Sequence, residues 1–301
     1  MKYNYKVGGI SIASDIHFPE LELSASNCGA SSDAYIAYGD VPEHLEINCV
    51  DFPFLEINHS QYLLKLPGIG RYLVEQGNKI TIQPDPSAAL VNVNRQILTS
   101  AFAALSYQRG LIPFHGGMVI INGIAVLISG LSGTGKSTLL AGLYKNGHTI
   151  IADDISNLQM VEGEVLAHPT FPRIMIWQDA ADELNLTVKE GEKLRENLCK
   201  YLYPINDRFF TKPVILKHVY ILKMTAKIGQ PIKVLGIQKI QELKENLFHP
   251  YMVDALDLKK EYSAKLLEIA SHVNVSILGV ERTDGIYPFL KKFEKILANA
   301  E

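Results

Sequence analysis

A short glycine-rich run carries the clearest chemical signal in the sequence. Residues Gly130-Leu131-Ser132-Gly133-Thr134-Gly135-Lys136-Ser137 fit the pattern GxxxxGK[ST]. Glycines permit backbone conformations that are closed to other residues, so several N–H groups can converge on phosphate oxygens. A lysine and a hydroxyl at the last two positions suit the β and γ phosphates and a magnesium ion. The run predicts a P-loop for ATP and Mg2+, contacted by Gly130, Ser132, Gly133, Thr134, Gly135, Lys136, Ser137 and Thr138.

Two adjacent acids, Asp153 and Asp154, follow a short apolar strand at residues 148–152. If this strand lies parallel beside the strand that precedes the glycine run, its carboxyl end faces the same crevice as the phosphates. One carboxylate would then position magnesium, and the other would accept a proton from an attacking hydroxyl. Adjacent side chains of an extended strand point in opposite directions, so both acids can act only if the backbone turns there. A solvated turn is the alternative interpretation.

His115 becomes a candidate through the register of a predicted hairpin. Asn122-Gly123, between two apolar runs, is typical of a two-residue type I′ turn. Continued without a bulge, the register of that hairpin sets His115 opposite Gly130, the first residue of the glycine run. There the imidazole could alter the proton affinity of a nearby carboxylate such as Asp153. A structural, hydrogen-bonded histidine is the alternative.

Several cations are candidates for stabilising the charge of a transferred phosphoryl group. Arg208 and Lys212 lie in a predicted loop before a strand, where a cation could do so. Arg173 and Arg282 are similar candidates. For each of them a solvated surface cation is the alternative, and Arg208 is the one that we predict to be catalytic.

The elements around these residues predict an α/β fold preceded by a smaller β-rich domain. Short segments at residues 54–58, 62–66, 71–75 and 79–83 alternate with turns, which predicts a β meander. Asp85 and Pro86 suit the start of a connecting helix that runs over 86–109 and ends at Gly110. From residue 114 onward strands alternate with helices. We therefore predict a β-rich domain at 1–85 and a P-loop domain at 86–301.

Within the second domain the apolar patterns predict further elements. The expected strands are at 124–128, 148–152, 173–177, 214–224 and 273–280, and the expected helices are at 136–146, 237–248, 254–272 and 284–298.

The composition disfavours several classes of protein. The chain has 301 residues, of which 47% are hydrophobic, and its formal net charge is −3. Acidic and basic residues are mixed, so neither nucleic acid nor an anionic membrane surface is expected as a partner. The three cysteines form no CxxC pair, and the first residues lack the apolar stretch of a signal peptide. No apolar run is long enough to span a bilayer, and a soluble cytoplasmic protein is expected.

Together these residues resemble the HPr-kinase-like family. In that family a His-Gly element precedes a strand, a GxSGxGKS loop follows, and an Ala-Asp-Asp element comes later. Here these elements are His115-Gly116, Gly130 to Ser137, and Ala152-Asp153-Asp154. The resemblance implies a P-loop α/β domain related to phosphoenolpyruvate carboxykinase, and ATP-dependent phosphorylation of a serine hydroxyl.

The family pattern also implies roles for the two acids. Asp153 is expected to be the base near His115, and Asp154 is expected to hold magnesium together with Ser137. Outside this core the chain departs from HPr kinases proper. The glutamate of their EVRGxG-like element is missing, and residues 168–177 have a different sequence there. This departure puts HPr itself in doubt as the substrate.

Over its whole length the chain resembles the HPr-kinase-like proteins of lasso-peptide biosynthetic clusters. The resemblance rests on Phe18-Pro19-Glu20-Leu21, on the helix that ends at Gly110, and on a Pro-Arg-x-x-x-Trp stretch that ends at Trp177. Members of that group phosphorylate the side chain of the C-terminal serine of a precursor peptide. The resemblance thus implies a precursor peptide as the partner of this chain.

Three functions stay open on the sequence. The first is a serine kinase acting on a peptide, and the second is a kinase acting on a small metabolite such as free serine or a sugar. The third is a nucleotide-gated regulatory protein without an acceptor, against which the intact lysine, hydroxyl and acid pair argue. The oligomeric state is also open, with a homo-oligomer as one alternative.

Overall fold

The computed structural model describes residues 3–21, 32–46, 49–195, 198–225, 229–281 and 285–298. Its strands, numbered in chain order, are β1 (Tyr3–Val7), β2 (Ile10–Ser14), β3 (Ala34–Tyr38), β4 (Val50–Phe52), β5 (Leu55–Ile57), β6 (Gln61–Leu66), β7 (Gly70–Glu75), β8 (Lys79–Pro84), β9 (Ile112–Ile121), β10 (Ile124–Gly130), β11 (Thr149–Ala152), β12 (Ile155–Val161), β13 (Glu164–His168), β14 (Arg173–Trp177), β15 (Lys193–Arg195), β16 (Leu198–Pro204), β17 (Val214–Met224), β18 (Ile232–Lys233) and β19 (Asn274–Val280). Its helices are α1 (Leu90–Gln96), α2 (Phe102–Gln108), α3 (Lys136–Lys145), α4 (Gln178–Glu183), α5 (Gly236–Glu245), α6 (Tyr251–Ala255), α7 (Lys259–His272) and α8 (Ile286–Ala298). No helix in the described ranges is long and apolar enough to cross a membrane.

These elements group into two compact units. The first unit holds Met1–Pro113 and His249–Ser263, and the second holds Phe114–Phe248 and Ala264–Glu301. Residues 86–109 therefore group with the β-rich part, whereas the sequence analysis joined them to the P-loop domain. The division into domains at 1–85 and 86–301 stays a prediction.

The first unit is built on a sheet whose described strands lie in the order β1-β2-β3-β8-β7-β6-β5-β4. The predicted meander is confirmed, because β5, β6, β7 and β8 follow one another in antiparallel pairs. Buried residues follow one another along these strands, Tyr72-Leu73-Val74 in β7 and Ile80-Thr81-Ile82 in β8, so both faces of the sheet are covered there. Tyr62, Tyr72, Ile80 and Ile82 are fully buried and supply much of the core of this unit.

The helix predicted over residues 86–109 begins later than expected. Helix α1 starts only at Leu90, and no side chain caps it. The carboxylate of Asp85, the predicted cap, instead accepts hydrogen bonds from the backbone N–H and the hydroxyl of Ser87, at 2.9 and 2.5 Å. Asp85 thus closes a turn before the helix rather than capping the helix itself.

The same helix is also interrupted in its middle. A π-helical turn, Ile97–Ala101, separates α1 from α2, and Leu98 and Thr99 leave the helical backbone angles there. The Thr99 hydroxyl donates to the carbonyl oxygen of Gln96 at 2.6 Å. A side chain that bonds nearby backbone in this way competes with the regular helical hydrogen bonds.

The second unit is a mixed α/β structure around a large sheet. Its described strands lie in the order β10-β9-β12-β13-β17-β19-β18, with β11 paired to β9 and β10 also paired to β17. Strands β10, β17 and β19 are parallel. Strand β12 lies beside β9, and β13 lies beside β17. Helices α3 and α8 share one apolar core with the sheet, to which Leu140, Leu143, Phe289, Phe293 and Ile128 contribute. Strands β14, β16 and β15 form a separate antiparallel sheet.

The hairpin predicted at Asn122-Gly123 is confirmed with its register. Both residues have positive φ, 50° and 80°, as a type I′ turn requires. The pairing of β9 with β10 runs without a bulge from Ile121 opposite Ile124 to Gly116 opposite Ser129. Because the next step of this register reaches His115 and Gly130, the histidine lies at the start of the glycine loop.

Strand β11, which precedes the two acids, is not adjacent to β10. Both strands pair with β9 in antiparallel fashion, so they are parallel to each other with β9 between them. The sequence analysis considered the case in which the two strands are direct neighbours, and the structure instead has them parallel with one strand between them. The tight Asn122-Gly123 turn folds β9 back along β10, and β9 occupies the edge at which β11 was expected.

Other predicted elements are confirmed with changes at their ends. The strand at 214–224 is β17, while the strand at 173–177 is β14 and belongs to the separate small sheet. The helix at 237–248 is α5, which ends at Glu245. The helix at 254–272 is split into α6 and α7, because Asp257 adopts a left-handed backbone with φ 58°. Helix α8 begins at Ile286, and the predicted start at Asp284 lies outside the described residues.

Candidate active site

The glycine loop connects the buried strand β10 to helix α3. Gly135, the last residue before the helix, has φ 88°, a left-handed conformation that glycine adopts without strain. At the other end of the loop, a Cβ on Gly130 would lie 2.5 Å from the carbonyl oxygen of Leu222. Only glycine therefore allows the loop to start this close to strand β17. The amino end of α3 faces the loop, where its unpaired N–H groups favour an anion.

The Lys136 side chain is buried and bends back over the loop. Its ammonium donates to the carbonyl oxygens of Gly130 at 2.8 Å and Leu131 at 2.9 Å. Burial lowers the pKa of Lys136 to about 8, although the nearby charges of Asp153 and Asp154 oppose this shift. The loop thus holds a cation in a partly dehydrated position, where it acts more strongly on an anion than it would in water.

Asp153 is buried directly after β11, and both of its carboxylate oxygens are engaged. One oxygen accepts from the Ser137 hydroxyl at 3.1 Å, and the other accepts from the backbone N–H of Met175 at 2.7 Å. Burial, and next the charge of Asp154, raise the pKa of Asp153 to about 6. Ser137 and Asp153 therefore present a hydroxyl and a carboxylate side by side at the amino end of α3.

Asp154 has a left-handed backbone, with φ 69°. Aspartate tolerates this conformation better than most residues. The turn allows both acids to line one cavity, as the sequence analysis required for joint action. The His115 Nδ1 atom lies 3.6 Å from the Asp154 carboxylate. The sequence analysis expected His115 beside Asp153, and the ion-pair distance that the structure shows is to the neighbouring Asp154.

His115 is held by its backbone on both sides. Its N–H donates to the carbonyl oxygen of Asn246 at 2.9 Å, and its carbonyl oxygen accepts from the Ser129 hydroxyl at 2.8 Å. The ring packs against Phe248, with the ring centroids 5.7 Å apart. A fixed backbone and a packed ring hold the imidazole at the edge of the cavity, next to Asp154.

One cavity of about 390 Å³ contains these groups. Of the residues predicted to contact the nucleotide it is lined by Ser132, Gly133, Thr134, Gly135, Lys136, Ser137 and Thr138. Gly130, which also belongs to that prediction, lies behind the loop against β17. Further walls come from β14, α4, β16, α8 and the ends of β17 and β19, through Met175, Trp177, Asp179, Ala180, Glu183, Lys200, Met224, Val280, Glu281, Gly285, Ile286 and Phe289.

The sequence analysis missed Trp177 and Lys200. Trp177 entered the sequence analysis only as the end of the Pro-Arg-x-x-x-Trp stretch, whereas its side chain is 47% exposed and lines the cavity. Lys200 lies opposite Trp177 in the pairing of β14 with β16. The Arg-x-x-x-Trp stretch could have drawn attention to Trp177. No local pattern marks Lys200, because its position depends on which strand pairs with β14.

Arg208 does not line the cavity. Its guanidinium stacks on the Tyr144 ring at 4.8 Å and donates to the Tyr144 carbonyl oxygen at 2.8 Å. Tyr144 is in the last turn of α3, at the opposite end of the helix from the glycine loop. Arg208 thus binds the carbonyl end of α3, a favourable place for a cation, and it is not positioned to contact a group in the cavity.

The other candidate cations also lie outside the cavity or outside the described residues. Arg173 is buried, with its guanidinium 4.9 Å from the centre of the Phe171 ring. Lys212 is exposed, and neither residue lines the cavity. Arg282 lies outside the described residues.

The part of the chain that builds this site matches a known family. Residues 110–174 match the HPr Serine kinase C-terminal domain. This stretch is HPr-kinase-like. It contains β9 with His115, the glycine loop, helix α3 and the two acids, while Trp177 and Lys200 lie beyond the matched stretch.

Individual HPr kinases show the same local similarity. The HPr kinase/phosphorylase of Treponema pallidum is 37% identical over 89 residues, which is 27% of this chain and 27% of that protein. The HPr kinase/phosphorylase of Lactobacillus acidophilus is 47% identical over 58 residues, or 19% of this chain and 17% of that protein. The aligned region thus spans about a quarter or less of the relatives' length.

A solved structure is similar over a longer stretch but more weakly. The Hpr(Ser) kinase/phosphatase of Coxiella burnetii aligns with 62% of this chain and 94% of its own, at 15% identity. The TM-score of 0.36 is too low to establish a shared fold over that length.

The raised pKa of Asp153 leads to a prediction about stability. Since burial raises this pKa from 3.8 to about 6, the folded protein binds the proton more tightly than the unfolded chain does. Ionisation therefore costs stability, which is highest below the unfolded pKa and falls as the pH rises to about 6. Asp153→Asn cannot ionise, so without magnesium its melting temperature should exceed that of the natural protein by a few degrees at pH 7.5, but not at pH 4. Calorimetry in the presence of a chelator tests this. A variant that melts at or below the natural temperature at pH 7.5 would contradict it.

Proposed function

We propose that this chain is an ATP-dependent phosphotransferase whose acceptor is a hydroxyl group. One observation carries the proposal: a single cavity brings together the Lys136 ammonium, the Ser137–Asp153 contact and the His115–Asp154 contact. These supply a phosphate-binding cation, a place for a metal ion and a group that can accept a proton. The local similarity to HPr kinases supports the same class of reaction.

The chemistry of the donors fits magnesium. Ser137 and Asp153 offer a hydroxyl and a carboxylate, which are the hard oxygen ligands that this ion prefers. Among the described residues no group of three or more His, Cys, Asp or Glu side chains forms a metal site. This suits an ion that takes one or two protein ligands and completes its coordination with phosphate and water. When bound, magnesium neutralises phosphate charge and orients the transferred group.

The side chains then divide the work of phosphoryl transfer. Lys136 and the amino end of α3 bind the phosphates, while Asp153 and Ser137 hold the magnesium. Asp154 accepts the proton of the acceptor hydroxyl. The hydroxyl oxygen bonds to the γ-phosphorus, and the bond between the γ-phosphorus and the oxygen of the leaving ADP breaks. His115 holds the Asp154 carboxylate in place from 3.6 Å. These roles of the two acids are the reverse of those implied by the family resemblance, in which Asp153 is the base and Asp154 the metal partner.

The finer proposal is that the acceptor is the C-terminal serine of a precursor peptide. Its support is the resemblance of the whole chain to the kinases of lasso-peptide clusters. The exposure of Trp177 on the cavity wall also supports it, since an open rim admits the end of a flexible chain. Free serine is the main alternative acceptor, because it offers the same hydroxyl in a smaller molecule.

Mass spectrometry of a precursor peptide tests this proposal. The full chain is incubated with magnesium-ATP and a peptide that ends in serine, beside a matched peptide that ends in alanine and beside free serine. We expect one phosphate on the terminal serine of the first peptide and none on the second. Faster turnover of free serine, with an unmodified peptide, would instead make this a small-metabolite kinase.

A further inference from the structure

Lys200 reaches the cavity from strand β16, which carries none of the sequence motifs. In the antiparallel pairing of β14 with β16, Lys200 lies directly opposite Trp177, and Leu202 lies opposite Met175. Met175 and Trp177 are two positions apart on β14, so their side chains share one face of the strand. Both line the cavity, and so does Lys200. Strand pairing therefore places the lysine on the cavity side of this small sheet.

The ammonium of Lys200 is held over an aromatic ring. It lies 5.9 Å from the centre of the Trp177 ring, a cation–π distance. Within the described residues no hydrogen bond or ion pair engages this ammonium. By contrast, the Lys136 ammonium is bound to two loop carbonyls. Lys200 thus brings to the cavity a half-buried cation with free donors.

The charge of Lys200 influences both an acid and the loop lysine of the cavity. It interacts electrostatically with Asp153 and with Lys136. Lys200, the loop lysine and the acids all line one cavity, so the ammonium faces the region that they share. In an in-line transfer that region holds the terminal phosphoryl group, since the base and the acceptor oxygen lie beyond it.

We propose that Lys200 is a second phosphate-binding cation, which contacts the γ-phosphate and thereby distinguishes ATP from ADP. This inference rests on one part of the proposed function, namely that a nucleotide binds in the cavity. Lys200 takes the part that the sequence analysis gave to Arg208. As the terminal oxygens gain charge during transfer, a fixed ammonium beside them stabilises the transition state.

The single tryptophan of the chain provides the measurement. Because Trp177 lines the cavity, its fluorescence should change when a nucleotide binds. Calorimetry measures the same dissociation constants independently of the fluorescence. Titrations with magnesium-ATP and magnesium-ADP are made on the natural protein, Lys200→Met, Lys200→Arg and, as a matched control, Lys212→Met, which changes an exposed lysine outside the cavity.

For Lys200→Met we expect the Kd for ATP to rise about 10- to 100-fold, which is the affinity that the loss of one charged hydrogen bond removes. The Kd for ADP should stay within about twofold, Lys200→Arg should recover most of the preference for ATP, and Lys212→Met should match the natural protein. Equal weakening of ATP and ADP, or no weakening of either, would overturn the inference. A protein that prefers ATP through Lys200 but transfers no phosphate would overturn only the proposed function.

Discussion

Replacement of Lys136 by methionine is expected to abolish phosphoryl transfer and to weaken the binding of magnesium-ATP by about a hundredfold or more. The substitution keeps most of the length of the side chain and removes its charge. The ammonium is the cation that the loop itself supplies, and burial makes its attraction to phosphate stronger than in water. Calorimetric titration of the purified variant measures the loss.

The Lys136→Met variant is expected to fold, so misfolding would not explain a loss of binding. Burial lowers the pKa of Lys136 to about 8, so the folded protein holds this charge at a cost in stability. Replacing it with an apolar side chain of similar shape should leave the melting temperature unchanged or raise it. Lys212→Met, at an exposed position, serves as the matched control. Unchanged affinity for magnesium-ATP in a folded Lys136→Met variant would contradict the assignment of the loop.

The second large effect is expected at Asp154. Asp154→Asn should retain magnesium-ATP binding and lose transfer by a factor of about 10² to 10⁴, the usual contribution of a general base. The amide keeps the size of the side chain but cannot take up the proton. Single-turnover assays of transfer, combined with calorimetry of nucleotide binding, separate the two steps.

Asp153→Asn is the matched control for this prediction, because it changes the neighbouring carboxylate in the same way. Since Asp153 contacts the Ser137 hydroxyl, its loss should raise the magnesium concentration needed for half-maximal activity, and high magnesium should restore part of the rate. The reversed pattern, with magnesium dependence at Asp154 and loss of transfer at Asp153, would restore the roles implied by the family resemblance.

The glycine loop and the hairpin beside it could be predicted from the sequence because their determinants are local. Asn122-Gly123 fixes the turn, and the turn fixes the register that brings His115 to Gly130. The buried run of β10 and the helix that follows the glycines are adjacent in sequence. Each of these features depends on residues only a few positions apart.

The partner of His115 could not be predicted in the same way. Two adjacent acids look equivalent in a sequence, and they differ here because Asp154 takes a left-handed backbone while Asp153 is buried against β14. Lys200 and Arg208 show the same limit. One is brought to the cavity by pairing with β14, and the other is bound to the far end of α3. Such long-range packing leaves no local sequence pattern.

The central claim is that the magnesium-nucleotide site lies in this cavity, with Asp153 beside the metal and Asp154 beside the terminal phosphate. Crystals grown with a slowly hydrolysed ATP analogue and Mn2+ in place of magnesium test it directly, through the anomalous signal of manganese. We predict one manganese peak next to the Ser137 hydroxyl and on the Asp153 side, with the γ-phosphate facing Asp154 and Lys200. A nucleotide bound elsewhere, or a manganese ion coordinated by Asp154 instead, would contradict the account.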